Sequence, residues 1–243
     1  MSIVSDPTQI FIRNWEIYQK IILANYMKHE ELGLLSQKHL KEFANNHPIK
    51  ILDIGCGDAH QIANQLASLN IQSYTGYDLS NQAIDLAKQH LQKTNAKLEF
   101  QVGKMEDLIK TESNTYNLLY SSFAVHHLKD EDKNVFIKDC AQRLEKNGLF
   151  ILIDIKRLPG QSTDEYKNSY AEWIYQDWHT LLPEEKDAIV LHLQTCDIPV
   201  ETDIYVEYAK QSGLSLIEEV AIDTRHVLLV FSNNYSDQNA YPS

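Results

Sequence analysis

The sequence predicts an α/β fold built on a doubly wound, seven-stranded, mostly parallel sheet. Three observations predict it. Short apolar, β-branched runs alternate with helical stretches between residues 49 and 155, the rhythm of stacked βαβ units. The first run, Ile49–Ile54, enters a tight turn, Gly55-Cys56-Gly57, at once. The fifth, Leu149–Ile155, stays apolar until Asp154, as expected of a parallel strand covered on both faces.

Each element has its own signal. Thr8–Glu30 reads as a helix, with Trp15, Tyr18, Ile22 and Tyr26 on one stripe. Gly33 is expected to end it, and a second helix spans about Leu34–Asn45 before Asn46-His47-Pro48 breaks the pattern. After the first strand, Ala59–Leu69 reads as helix and Gln72–Tyr77 as a strand ending at Asp78. Ser80 is the expected N-cap of a helix to Lys93. Lys97–Val102 and Tyr116–Ser122 are the third and fourth strands, and Asp130–Glu145 is a helix stopped by Asn147-Gly148. Residues 160–200 carry two helical segments and no strand. The first puts Tyr166, Tyr170, Trp173, Ile174 and Leu181 on one stripe, and the second opens at Pro183-Glu184-Glu185. A helix over Asp203–Ser212, stopped by Gly213, precedes strands near Ser215–Ile222 and His226–Phe231. The polar end from Ser232 is expected to fray.

Charge narrows the function classes. The 243-residue chain has 34 acidic and 22 basic residues, a net charge of −12. That disfavours a nucleic-acid backbone or an anionic membrane as partner. From Gly160 onward there are 15 acidic and 4 basic residues, so most of the excess lies in the last third. Cys56, Cys140 and Cys196 form no CxxC pair, which points to reduced thiols and a cytoplasmic setting. Neither a secretory leader nor a membrane span is expected.

The glycine turn carries the chemistry. A dinucleotide site calls for GxGxxG or GxGxxA, and His60 is too large for the third position. The other pattern, an acid followed by GxGxG with the last glycine relaxed to alanine, fits Asp53-Ile54-Gly55-Cys56-Gly57-Asp58-Ala59. With Asp78 twenty-one residues after Gly57, the segment Gly103–Leu108, the His126-His127-Leu128 turn and the Asn147-Gly148 turn all in order, the chain resembles the class I S-adenosylmethionine-dependent methyltransferases. The match is close over about Lys50–Asp154 and topological over the last two strands.

The resemblance implies S-adenosylmethionine as cofactor and a residue set to hold it. Asp53 would support the methionine ammonium, and Gly55, Cys56 and Gly57 would contact the methionine moiety. Asp78 would accept both ribose hydroxyls, and Leu79 would lie against the adenine. Lys104, Met105 and Glu106 stand where the family meets the adenine amino group, though the family has Asp at the position of Lys104. Asn117 replaces another frequent Asp, and Ser121 or Ser122 would face the cofactor. Tyr18 would belong to a cover helix. The chain then divides into cover helices (1–47), a cofactor-binding core (48–158), a helical lid insert (159–200), a last helix and strands (201–232) and a tail (233–243), all one domain.

Methyl transfer is an in-line displacement, so the protein must chiefly hold a nucleophile close to the methyl. A base is needed only if the nucleophile arrives protonated. His126, His127 and Tyr26 are the catalytic candidates, and the histidines stand equally as packing groups under the sheet. His29, Tyr170, Trp173 and Trp178 are the candidates for binding the acceptor, the alternative being that the aromatics bury a helix. His192 reads as core. Asp130 and Asp132 read as a helix start, and no metal is expected.

The expected function is methyl transfer to an N or O nucleophile of a small molecule, with monomer and homodimer both open. Two alternatives remain at this level: a catalytically silent cofactor-binding protein of the same fold, and a nicotinamide-dependent reductase.

Overall fold

The computed structural model describes residues 15–45 and 48–234. Positions 8–14 of the first expected helix, the Asn46-His47 break and the end of the tail lie outside the described residues.

Among the described residues two helices come first, α1 (Trp15–Leu23) and α2 (His29–Ala44). The first expected helix therefore ends at Leu23, short of Glu30. Asn25 and Lys28 adopt positive φ, and the Asn25 side chain accepts from the N–H of Glu30 and donates to Glu31, which starts a new helix there. Gly33 lies inside α2 and does not end a helix. A Cβ there would meet Gln61 Nε2 at 2.9 Å, so glycine serves close helix packing.

The alternating part follows as β1 (Ile49–Ile54), α3 (His60–Leu66), β2 (Ile71–Asp78), α4 (Asn81–His90), β3 (Lys97–Val102), α5 (Met105–Thr111), β4 (Tyr116–Ser122), α6 (Asp130–Arg143) and β5 (Leu144–Ile155). Ser80 caps α4 as expected, accepting from the N–H of Ala83 at 3.1 Å. The Asn147-Gly148 turn is not where α6 stops. It lies within β5, whose pairing with β4 shifts register there, and Asn147 donates its N–H to the carbonyl of Asn233. Helices α7 (Thr163–Asp177), α8 (Pro183–Cys196) and α9 (Thr202–Gln211) precede β6 (Ser215–Ala221) and β7 (His226–Ser232).

The seven strands form one sheet in the order β3-β2-β1-β4-β5-β7-β6. β1 to β5 pair in parallel, and β7 runs antiparallel between β5 and β6. Side-chain alternation divides the core into two layers. Leu52, Ile54, Phe150, Leu152, Leu229 and Phe231 face α6 and α9 through Phe136, Ile137, Cys140 and Tyr205. Ile49, Ile51, Ile151, Ile153, Leu228 and Val230 face α2, α3 and α4 through Leu32, Leu40, Ile62, Leu66 and Ala87. A third cluster joins α1 to the insert, with Ile17 and Ile21 packed among Tyr166, Tyr170, Ile174, Trp178 and Leu193. Among the described residues no helix is long and apolar enough to cross a membrane.

Candidate active site

Strand order reverses direction between β1 and β4, which opens a crevice at the carboxyl rim of a doubly wound sheet. A cleft of about 450 Å³, open mouth included, lies there between the glycine turn and α1. Tyr18 and Ile22 form its roof, Asp53, Gly55, Cys56 and Gly57 its floor, and Tyr120 and Ser122 one end.

The turn has little freedom. Gly55 has φ +74°, and a Cβ on it would stand 2.4 Å from that of Ala124. The N–H groups of Gly55 and Cys56 both donate to the carbonyl of Tyr77, at 2.8 and 2.9 Å. The N–H of Gly57 donates to Oδ2 of Asp78 at 2.9 Å, and that of Ser80 to Oδ1 at 2.8 Å. Burial raises the Asp78 carboxyl above the usual range against the pull of these N–H groups.

Asp53 is buried, and its Oδ2 accepts from the Tyr74 hydroxyl at 2.6 Å. Burial pushes it up to about 7, opposed by the Tyr74 bond and assisted by the charge of Asp78. Such a carboxyl is unstable as an isolated anion and suited to an incoming cation. Tyr18 is raised as well, by burial and then by the charges of Asp58 and Asp78.

The other expected cofactor residues divide. Ser122 and Cys56 line the cleft. Ser121 is fully buried and donates to the carbonyl of Ile54, a bond between neighbouring strands. Leu79 is 51% exposed at the rim. The N–H of Gly103 donates to the Asp78 carbonyl, which brings Lys104, Met105 and Glu106 beside the acid at the start of α5. Asn117 ties strands together, accepting from the N–H of Lys50 and donating to the carbonyl of Pro48.

Above the rim, His29 is buried at the first turn of α2, edge-on to Tyr18 at 6.2 Å and 4.8 Å from the Phe123 ring. Neither of its ring nitrogens meets a hydrogen-bond partner among the described residues. Burial, and then the charge of His226, lower its pKa to about 3. Tyr26 is engaged with the insert: its ring stacks on Trp178 at 4.7 Å, and its hydroxyl accepts from the N–H of Thr180. Trp178 is buried. The Tyr170 hydroxyl lies 3.2 Å from Nε2 of His226, and the Arg225 guanidinium lies 4.6 Å over Trp173.

His126 is 4% exposed and does not line the cleft. Its N–H donates to Oδ2 of Asp154, and its Nδ1 stands 2.5 Å from Oδ1 of the same carboxylate. Burial alone would lower this imidazole, but Asp154 and Asp197 outweigh it and hold the pKa above the ordinary value. His127 is the more exposed of the pair, and its Nδ1 is 3.3 Å from Oδ1 of Asp197. His192 is buried as expected, beside Asp197 and Cys196. Asp130 and Asp132 lie in the first turn of α6. Sequence reasoning missed Tyr74, Tyr120, Asp154 and Asp197. Only the lone acid at the end of the apolar β5 run was visible, and nothing linked it to a histidine 28 positions earlier.

Residues 51–148 match the family model of a methyltransferase domain. A ubiquinone biosynthesis O-methyltransferase from Pelagibacter ubique is 30% identical over 109 residues, covering 45% of this chain and 43% of that protein. A phosphoethanolamine N-methyltransferase from Plasmodium falciparum is 25% identical over 178 residues, covering 72% and 64%. The chain thus matches under two thirds of the length of these curated relatives. Among solved structures, magnesium protoporphyrin IX methyltransferase from Synechocystis, with bound SAH, superposes with a TM-score of 0.67 at 13% identity, over 94% of this chain and all of that one. That likeness concerns the fold, and the domain match falls on the strands and turns that build the crevice. Residues 51–148 thus form a methyltransferase domain, set in a chain with the fold of the class I S-adenosylmethionine-dependent methyltransferases.

Proposed function

We propose that the protein binds S-adenosylmethionine at the β1/β4 crevice and transfers its methyl group to a nitrogen or oxygen of a small-molecule acceptor. One observation carries the reading. A buried, readily protonated acid (Asp53) and a glycine turn that admits no Cβ at Gly55 line one cleft, and an acid fastened by two backbone N–H groups (Asp78) is tied to that turn at Gly57.

These residues fit the cofactor's groups. Asp53 receives the ammonium, Asp78 the ribose hydroxyls, and the open backbone at Gly55–Gly57 lies along the methionine chain. When bound, the sulfonium supplies an electrophilic methyl that needs no further activation. What remains for the chain is to orient an acceptor and exclude water. Tyr18 and Ile22 close the cleft from α1. His29, neutral at physiological pH and buried without a hydrogen-bond partner, accepts a hydrogen bond from the acceptor's hydroxyl or ammonium. Phe123, Tyr170 and Trp173 give the acceptor an aromatic surround, with Tyr26 and Trp178 holding the insert against α1. The curated relatives include both O- and N-methyltransferases, which supports either nucleophile.

The test is release of S-adenosylhomocysteine from S-adenosylmethionine with panels of phenols and small amines. Acceptor-dependent release that His29→Ala diminishes through KM or kcat, at unchanged cofactor affinity, supports the reading. Cofactor binding without release across both panels contradicts the transferase assignment.

A further inference from the structure

We propose that His126, His127 and Asp197 form a binding site for a divalent transition cation, with a fourth coordination position open beside His192. The three come from two places, the turn after β4 and the loop between α8 and α9. One ligand atom from each of His126, His127 and Asp197 lies within 4.8 Å of the others.

The distances match a coordination shell. Oδ1 of Asp197 is 3.3 Å from Nδ1 of His127, 3.3 Å from Nε2 of His192 and 3.7 Å from Nε2 of His126. A tetrahedron with bonds of about 2.1 Å has edges of about 3.4 Å. Asp197 is 93% buried, yet Oδ1 accepts no hydrogen bond among the described residues. A buried carboxylate oxygen facing three imidazoles in this way gathers the donor types that a transition cation takes.

The outer contacts also suit a metal. Nδ1 of His126 faces Asp154, whose other oxygen accepts from the Tyr205 hydroxyl at 3.3 Å, leaving Nε2 directed at Asp197. A carboxylate behind a ligating imidazole fixes tautomer and ring orientation. The N–H of Ile198 donates to the carbonyl of His126 at 2.8 Å, so the two ligand segments are already joined. A divalent cation takes its imidazole ligands neutral, so binding beside Asp154 and Asp197 releases protons from the histidines. The nearby Lys133 ammonium is held by the carbonyl oxygens of Leu128 and Ile198 and by Asp130. His127, at 37% side-chain exposure, gives an entry path.

Nitrogen-rich donors with one carboxylate favour zinc and its neighbours over magnesium or calcium. Bound there, the cation pins the end of α8 to the sheet rim, beside the insert that closes over the acceptor. This site is independent of the methyltransferase reading, since it shares no residue with the cleft.

The probe is Zn2+, titrated calorimetrically into tag-free, chelator-treated protein, with Co2+ absorption reporting geometry. We expect one cation per chain, a tetrahedral Co2+ spectrum and a raised Tm. His127→Ala, at an exposed position, should weaken Zn2+ at least tenfold, while His60→Ala, beside His90 elsewhere, should not. Absence of uptake by the unmodified chain, or equal uptake by His127→Ala, would overturn the proposal.

Discussion

The N–H of Gly57 donates to the carboxylate of Asp78 at 2.9 Å, joining the turn after β1 to the end of β2. This one bond joins the two ends of one βαβ unit, which α3 separates in the sequence. It also sets Asp78 in place beside the cleft before any ligand arrives.

Asp78→Ala removes a carboxylate acceptor from the rim beside the cleft. Hydrogen bonds to charged groups contribute about 1.5–3 kcal/mol. Calorimetric titration with S-adenosylhomocysteine should therefore show affinity falling by roughly 10- to 150-fold. The fold should persist by circular dichroism, since the lost bonds lie at the rim.

Asp53 makes affinity depend on pH. Its folded pKa of about 7 lies above that of an ordinary carboxylate, so the free native chain holds an extra proton between about pH 4 and 7. Stability contributed at this site is greatest at the acid side of that window and falls as pH rises through it. Ligand ammonium selects the ionised form, so cofactor affinity should drop about tenfold from pH 8 to pH 6. Asp53→Asn should flatten that dependence, weaken binding and raise the Tm of the ligand-free protein at pH 8. A profile unchanged by the substitution would remove Asp53 as the ammonium partner.

Two glycines with the same backbone separate conformation from packing. Gly55 has φ +74° and an Ala124 Cβ 2.4 Å from the place of its own, whereas Gly160 has φ +75° and open space. Gly160→Ala should cost about 1 kcal/mol from backbone strain alone. Gly55→Ala should cost roughly 2–4 kcal/mol, strain and overpacking together. Urea unfolding of both variants measures the difference.

Asp223 stabilises the acid side. Burial would raise its carboxyl, but His226 and the N–H groups of Arg225 and His226 bring it down to about 2. A depressed carboxylate gives stability that is present above its unfolded pKa and lost as pH falls, here from about pH 4 to 2. Asp223→Asn should lower stability at pH 7 by about 1 kcal/mol, given solvent screening at a half-open site, and leave a shallower loss between pH 4 and 2.

Much of this architecture was legible in the sequence because burial writes a pattern. The stretches Phe150–Ile153 of β5 and Val227–Phe231 of β7 are buried and read as unbroken apolar runs. The glycine turn was legible because so few residue types tolerate its backbone. The break between α1 and α2 was hidden, since it depends on the Asn25 side chain reaching Glu30 and Glu31 while the apolar stripe continues past it. The start of β5 at Leu144 was hidden for a like reason: Asn147-Gly148 has the chemistry of a helix stop, and only pairing with β4 and Asn233 makes it a bulge. His126, Asp154 and Asp197 meet only through the sheet's topology, so no local spacing announces them.

The account rests on an adenosyl sulfonium ligand at the β1/β4 rim, and calorimetric titration of the unmodified chain with S-adenosylmethionine, in parallel with NADH, tests it most directly. One saturable site for S-adenosylmethionine and no heat with NADH is the predicted result. Silence with S-adenosylmethionine, or saturable binding of NADH in its place, would contradict it.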